Sequence, residues 1–256
     1  MGTSSLVPSV CIDTVLDGRS LDDAISLVSQ CGFSAFEFWN WWDKDLDELI
    51  DQRDKNELEV AACCTKAISL VDPALRDEYL QGLSDSIAAA ETLECSTLIS
   101  PVGDSMPDKS PEEQRQSVID GLIAAAPLVE AAGITLVIEP RNAKVDYPGC
   151  FLVRSEEAFA IVEAVGSSHI KVLFDIYHQQ VSEGDLIKNI TDNIDKIGHF
   201  HAAGNPGRKE LSGGEINYPE VFTAIRSSGY SGFVGLEYFP QRDPAAGLFE
   251  VASLFE

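Results

Sequence analysis

Basic residues are scarce in this chain. Eighteen Lys and Arg stand against 42 Asp and Glu, a formal net charge of −24 at pH 7. So acidic a chain repels phosphate backbones and anionic lipid, which sets nucleic acid and membrane surfaces aside as partners. Long apolar runs are missing too. No stretch of 18 or more apolar residues occurs, so no transmembrane helix is expected. The opening MGTSSLVPSVCID has no basic region followed by a long apolar stretch and does not read as a signal peptide. Gly2 and a later serine would permit myristoylation, but no polybasic segment supports an anchor. The six cysteines (Cys11, Cys31, Cys63, Cys64, Cys95 and Cys150) form no CxxC pair and no zinc-finger spacing. They read as buried thiols, and the expected location is cytoplasmic. No GxGxxG follows the first apolar run, which argues against an open doubly wound sheet.

Short apolar runs alternate with helix-like stretches from end to end. The runs fall at 6–12, 33–39, 58–65, 96–101, 134–140, 170–175, 196–202 and 232–238. Between them lie amphipathic segments with end signals. SLDDAISLVSQCG places aspartates near its start and Gly32 near its stop, as helix ends prefer. PEEQRQSVIDGLIAAAPLVEAAG opens on Pro111 and closes at Gly133. SEEAFAIVEAVG has Ser155 as its expected N-cap and Gly166 as its stop. Eight strand–helix cycles without a long linker suggest one (β/α)₈ TIM barrel over residues 1–256.

Glu139, Asp175, His201 and Glu237 end the fifth to eighth runs. In a parallel barrel these ends meet at the carboxyl-terminal rim. Side chains two apart share a strand face. Thr135, Val137 and Glu139 therefore point together, as do Leu173 and Asp175, His199 and His201, and Gly235 and Glu237. A buried carboxylate is costly without compensation, and one shared cation resolves four such costs together. Three carboxylates and one imidazole suit a hard divalent ion: Mn²⁺ or Mg²⁺, with Co²⁺ also allowed. His199 lies one layer deeper and is expected to hydrogen-bond a ligand carboxylate or fill core. His178, just past the sixth run, and Arg208, on the loop after the seventh, are placed to meet substrate oxygens. Glu37 is a candidate acceptor behind the ligands. Phe38, Trp39, Trp41 and Trp42 either wall a sugar-sized pocket or pack as a loop.

Such an ion acidifies the proton between the two oxygens of a hydroxy-ketone and stabilises the enediolate. Glu139 and Glu237 could flank the carbon as an acid–base pair. Return of the proton to the opposite face gives epimerisation. Return to the neighbouring carbon gives isomerisation.

The segments IEPRN, FDIYHQQ, GHFHAAGNPGR, GEINYP and GLEYFP together resemble the hydroxypyruvate isomerase family, within the xylose-isomerase-like TIM-barrel superfamily that also holds the ketose 3-epimerases. The resemblance spans essentially the whole chain. It implies a barrel isomerase acting on a small hydroxy-carbonyl or sugar substrate. Metal binding would fall on Glu139, Asp175, His201 and Glu237, acid–base chemistry on Glu139 and Glu237, and substrate contact on His178 and Arg208. Several members close to hydroxypyruvate isomerase carry glutamine where this chain has His201, whereas the sugar epimerases carry histidine. Ketose 3-epimerisation, or elimination from a 3-keto sugar or inositol-derived ketone, are therefore the alternatives. The superfamily's three-zinc endonucleases need histidines on earlier strands. Here His169, His178, His199 and His201 all lie in the second half. Dimers and tetramers are common in the superfamily, which leaves a homo-oligomer open.

Overall fold

The computed structural model describes residues 6–255. The first five residues, where a myristoylation signal would lie, fall outside that range. In chain order the elements are β1 (Val7–Cys11), α1 (Ile12–Val15), α2 (Leu21–Gln30), β2 (Ala35–Glu37), α3 (Leu46–Lys55), β3 (Glu59–Val60), β4 (Cys63–Cys64), α4 (Arg76–Thr92), β5 (Thr97–Ser100), α5 (Pro111–Ala132) and β6 (Thr135–Ile138). There follow α6 (Ser155–Val165), β7 (Ile170–Asp175), α7 (Ile176–Ser182), α8 (Leu186–Asp192), β8 (Ile197–Ala202), α9 (Tyr218–Ser227), β9 (Phe233–Leu236) and α10 (Pro244–Ala252).

The strand order is β3-β2-β1-β9-β8-β7-β6-β5-β4, and every paired neighbour is parallel. Both ends of this order belong to one apolar run. The expected third strand, 58–65, is split in two: β3 pairs with β2 and β4 pairs with β5. Between the pieces Ala61 N–H donates to Phe36 and Phe38 N–H donates to Ala62. The run thus changes partner midway and closes the ring, so the nine short strands form the expected eight-stranded (β/α)₈ barrel.

Local signals set the helix ends. Ser20 caps α2, accepting from Asp23 N–H at 3.3 Å. Ser110 and Glu113 make a reciprocal capping box at the start of α5, where Pro111 needs no amide partner. Gly133 and Gly166 end α5 and α6 in the left-handed conformation. The expected cap of α6 shifts by one residue. Arg154 occupies the N-cap, and Ser155 instead donates its hydroxyl to Glu183.

Most of the apolar core lies between sheet and helices, where each fully buried Phe or Leu contributes about 1.5–3 kcal/mol. Inside the barrel a smaller cluster joins Ala62, Ile99, Val137 and Leu173. Val137 and Leu173 stand two residues before Glu139 and Asp175, so the inward face is the one that alternation assigns. The other side of the interior is polar, holding Ser9, Glu37 and His199. All six cysteines are free thiols, and all but Cys64 are buried. Among the described residues no helix is long and apolar enough to cross a membrane.

Candidate metal centre and pocket

The last residue of β7, the penultimate residue of β8 and the residues just beyond β6 and β9 meet at the carboxyl-terminal rim. One ligand atom each from Glu139, Asp175, His201 and Glu237 lies within 4.8 Å of the other three. Ligands on opposite sides of a divalent ion, each about 2.0–2.6 Å away, are separated by roughly 4–5 Å. The cluster has the span of one ion.

Each group is held from behind. Asp175 caps α7: its Oδ1 accepts from His178 N–H at 2.9 Å, which leaves Oδ2 facing the cluster. Glu237 accepts at Oε1 from Trp39 Nε1 at 2.8 Å, and its Oε2 is ion-paired with Arg208. His201 stands between two carboxylates, with Nε2 at 2.8 Å from Glu37 and Nδ1 at 3.1 Å from Glu237. Glu139 Oε1, Asp175 Oδ2 and His201 Nδ1 are buried and satisfy no hydrogen bond. Three buried polar atoms left open toward one point are what a cation would satisfy. The donor set fits a hard divalent ion: Glu139, Asp175 and His201 each have an open atom, and Glu237 brings an oxygen into the same cluster while Trp39 and Arg208 hold it.

Electrostatics separate the carboxylates. Burial raises Glu139 above the usual carboxylate range, more than His178 lowers it. Burial also pushes Glu237 up, but Arg208 and then His201 outweigh it and hold Glu237 well below that range. Glu37 is likewise pushed up by burial and pulled down by His201 and His199, to about 2. It accepts from Ser9 Oγ at 2.7 Å and bonds His199 Nε2 at 3.0 Å. His199 therefore serves Glu37 and not one of the three converging carboxylates. A Cβ on Gly235 would sit 2.3 Å from Glu37 Oε1. The space that Gly235 leaves beneath Glu237 is filled by the Glu37 carboxylate.

His178 is fully buried in the first turn of α7. The amide oxygen of Asn142 accepts from the Val145 and Asp146 N–H groups, which orients its nitrogen. That nitrogen donates to Asp146 at 2.6 Å and faces His178 Nδ1 at 2.7 Å. Nδ1 is thus the acceptor, and a neutral His178 carries its proton on Nε2. This N–H points into the site, 3.6 Å from Asp175 Oδ2 and 3.8 Å from Glu139 Oε1. It lies too far for a bond to either and is free to donate to a bound oxygen. Arg208 also reaches Tyr147 Oη at 3.3 Å.

A pocket of about 180 Å³ opens over the cluster, with Trp39, Trp42, Tyr147 and Arg141 in its walls. Drug-sized ligands occupy roughly 300–1,000 Å³, so this space suits a molecule of a few carbons. The tryptophan group divides between both expected roles. Trp39 and Trp42 line the pocket, whereas Trp41 bonds Ser86 and Phe38 is core. Sequence reasoning assigned no role to Asn142, Arg141 or Tyr147. The first two lie within IEPRN, but no spacing rule predicts a bond between Asn142 and a histidine 36 residues away.

The family model of the xylose isomerase-like TIM barrel matches residues 25–254. The hydroxypyruvate isomerase of Escherichia coli K12 is 35% identical over 229 residues, 86% of this chain and 88% of that one. The 2-oxo-tetronate isomerase of Cupriavidus necator is 42% identical over 134 residues, 52% of this chain and 51% of that one. Among solved structures, a family 2 AP endonuclease from Brucella melitensis superposes at TM-score 0.92 with 26% identity, covering 97% of this chain and 98% of that one. An L-ribulose 3-epimerase does so at 0.80 with 20% identity, covering 97% and 92%.

Proposed function

This chain belongs to the xylose isomerase-like TIM-barrel family, and we propose that it is a divalent-metal-dependent isomerase of a small hydroxy-carbonyl compound of the hydroxypyruvate type. Its relatives make it an enzyme of the isomerase or epimerase kind. The observation that carries the finer reading is the set of open polar atoms on Glu139, Asp175 and His201, facing one point beside Glu237.

In this reading Glu139, Asp175, His201 and Glu237 hold the ion. When bound, it supplies Lewis acidity that makes the carbon-bound proton next to the carbonyl labile and favours an enediolate. The residues do the rest. Glu139, whose burial favours the protonated form, exchanges a proton with the substrate carbon on one side. Glu237, kept ionised by Arg208 and His201, accepts on the other. His178 Nε2–H donates to a substrate oxygen. Arg208 orients Glu237 and offers its remaining N–H groups to the substrate. Trp39 and Trp42 wall the space in which the substrate lies.

The endonuclease likeness does not displace this reading. Among the described residues the potential ligands form two clusters that share His201, the second being Glu37, His199 and His201. In that second cluster Glu37 is already engaged by Ser9 and His199, so it serves as support.

The test is metal analysis together with a substrate panel. Protein stripped with EDTA should lose activity on hydroxypyruvate, and Mn²⁺, Mg²⁺ or Co²⁺ should restore it. NMR in deuterated water should show solvent deuterium entering the carbon beside the carbonyl. Ketoses of four to six carbons and 3-keto glycosides in the same panel read out epimerisation and elimination. Full activity in metal-free protein would sink the proposal.

A further inference from the structure

The site has two arginines, and their surroundings differ. Arg208 is paired with Glu237 and bonded to Tyr147. Arg141 lies two residues beyond Glu139, half-buried, with its guanidinium 4.0 Å from the centre of the Tyr147 ring. Its backbone is fixed: Arg141 N–H donates to Leu152, and its carbonyl accepts from Cys150 Sγ. Its guanidinium, among the described residues, makes no hydrogen bond and has no carboxylate within 4.0 Å. Arg53, Arg154 and Arg242 each have one. Arg76 and Arg226 also have no carboxylate partner, but they bond Ser117 and the Leu254 carbonyl, whereas the open guanidinium of Arg141 lies in the wall of the pocket.

Arg141 also stands at a junction. It lines the 180 Å³ pocket and, on its other side, an adjoining cavity of about 610 Å³. Ala67 and Pro101 are shared by the two spaces as well. The far cavity carries Asp72, Asp104 and Asp108. These aspartates repel an anion that passes beyond Arg141. Contact with the Tyr147 ring places the guanidinium while its N–H groups keep no protein partner among the described residues. Those N–H groups match the two oxygens of a carboxylate.

Resting on the isomerase reading above, we propose that Arg141 is a specificity-determining residue that receives the carboxylate of an acidic substrate. The preferred class is then short hydroxy- or oxo-acids, with neutral ketoses disfavoured. The carboxylate lies at Arg141, the hydroxy-carbonyl end lies over Glu139, Asp175, His201 and Glu237, and the three aspartates limit chain growth past the acid.

The test compares Arg141→Gln and Arg141→Lys with the wild type, each loaded with Mn²⁺. Hydroxypyruvate is paired with dihydroxyacetone, which has a hydroxymethyl group in place of the carboxylate. For Arg141→Gln, kcat/KM on hydroxypyruvate should fall roughly ten- to a hundredfold, the effect of losing a charge-assisted hydrogen bond. The loss should sit in KM more than in kcat, with dihydroxyacetone turnover unchanged within about twofold. Arg141→Lys keeps the charge but not the fork, so it should recover part of the loss. Calorimetry with tartronate, an acid of the same length that need not react, should show a weakening of similar size in Arg141→Gln. Equal losses on both substrates would overturn the proposal, as would unchanged hydroxypyruvate KM and tartronate affinity. If the wild type converts neither substrate, the isomerase reading fails. The tartronate comparison then still decides whether Arg141 receives a carboxylate.

Discussion

Glu37 shows how much a single side chain behind the site can control. Its Oε1 stands 2.8 Å from His201 Nε2, and its Oε2 is fixed by Ser9 and His199. A carboxylate behind a ligating imidazole orients the ring, and its loss typically costs 10–100-fold in metal affinity. Glu37→Gln should therefore weaken Mn²⁺ binding by about that factor, read by calorimetry, while the four ligand residues stay intact. The same substitution tests a linkage. The Glu37 carboxyl is held at about 2 against an ordinary 4.5. A depressed carboxyl contributes stability above its unfolded value, and that contribution disappears as pH falls through the folded value. In EDTA-treated protein, the urea-unfolding difference between wild type and Glu37→Gln should be largest above about pH 4.5 and close toward pH 2. A difference that stays constant through that window would mean that Glu37 is not held ionised by its histidines. His178 separates from His201 in the same way. His201→Ala should lose metal and turnover together. His178→Ala and Asn142→Ala should keep the metal and lose turnover, because Asn142 acts only by placing the His178 proton. Equal metal loss in all three would contradict the assignment.

Elements convert these residues into a site, and here the limits of sequence reading become physical. Period-two alternation placed Glu139, Asp175, His201 and Glu237 on inward faces because a strand has no other choice once Val137 and Leu173 are buried. Local end signals placed Pro111, Gly133 and Gly166 correctly because those signals act within one turn. Ser155 misled because a distant carboxylate, Glu183, competes for its hydroxyl. The split of the third strand was equally hidden. Its ladder changes partner only because β2 and β5 lie on its two sides. Arg208 was legible as a loop cation, but not as a partner of Glu237. The connection after β8 carries it there by a tight approach: a Cβ on Gly204 would sit 2.2 Å from the Glu210 carbonyl oxygen. Gly204→Ala should push this connection outward and lower turnover by about tenfold or more, since small displacements of positioning groups cost up to about a hundredfold. Metal content by mass spectrometry should stay at one ion per chain. Turnover equal to wild type would show that Arg208 need not be held where it is.

At the scale of the whole molecule, the candidate centre ties four neighbouring strands together. In the sheet β6, β7, β8 and β9 are consecutive, and each supplies or leads into one candidate ligand. Without a cation, three carboxylates and an imidazole crowd within 4.8 Å in a chain that already carries a net −24. Arg208 offsets part of that repulsion beside Glu237. An ion that binds the folded chain and not the unfolded one stabilises it by mass action, by about 2.7 kcal/mol at a hundredfold excess over Kd. In a domain of this size, each kcal/mol moves Tm by about 2–4 °C. Mn²⁺ at that excess should therefore raise Tm by roughly 5–10 °C over EDTA-treated protein. Sodium chloride at equal ionic strength controls for general screening of the acidic surface. Asp175→Ala should abolish the Mn²⁺ shift, because it removes a ligand and the cap of α7 together. Asp175→Asn keeps a capping oxygen and should reduce the shift while largely preserving the melting point of the EDTA-treated protein. Arg141→Gln, which touches no ligand, should keep the whole shift. Equal melting of the wild type in Mn²⁺ and in EDTA would remove the ion from the fold. The four converging side chains would then need another source of compensation.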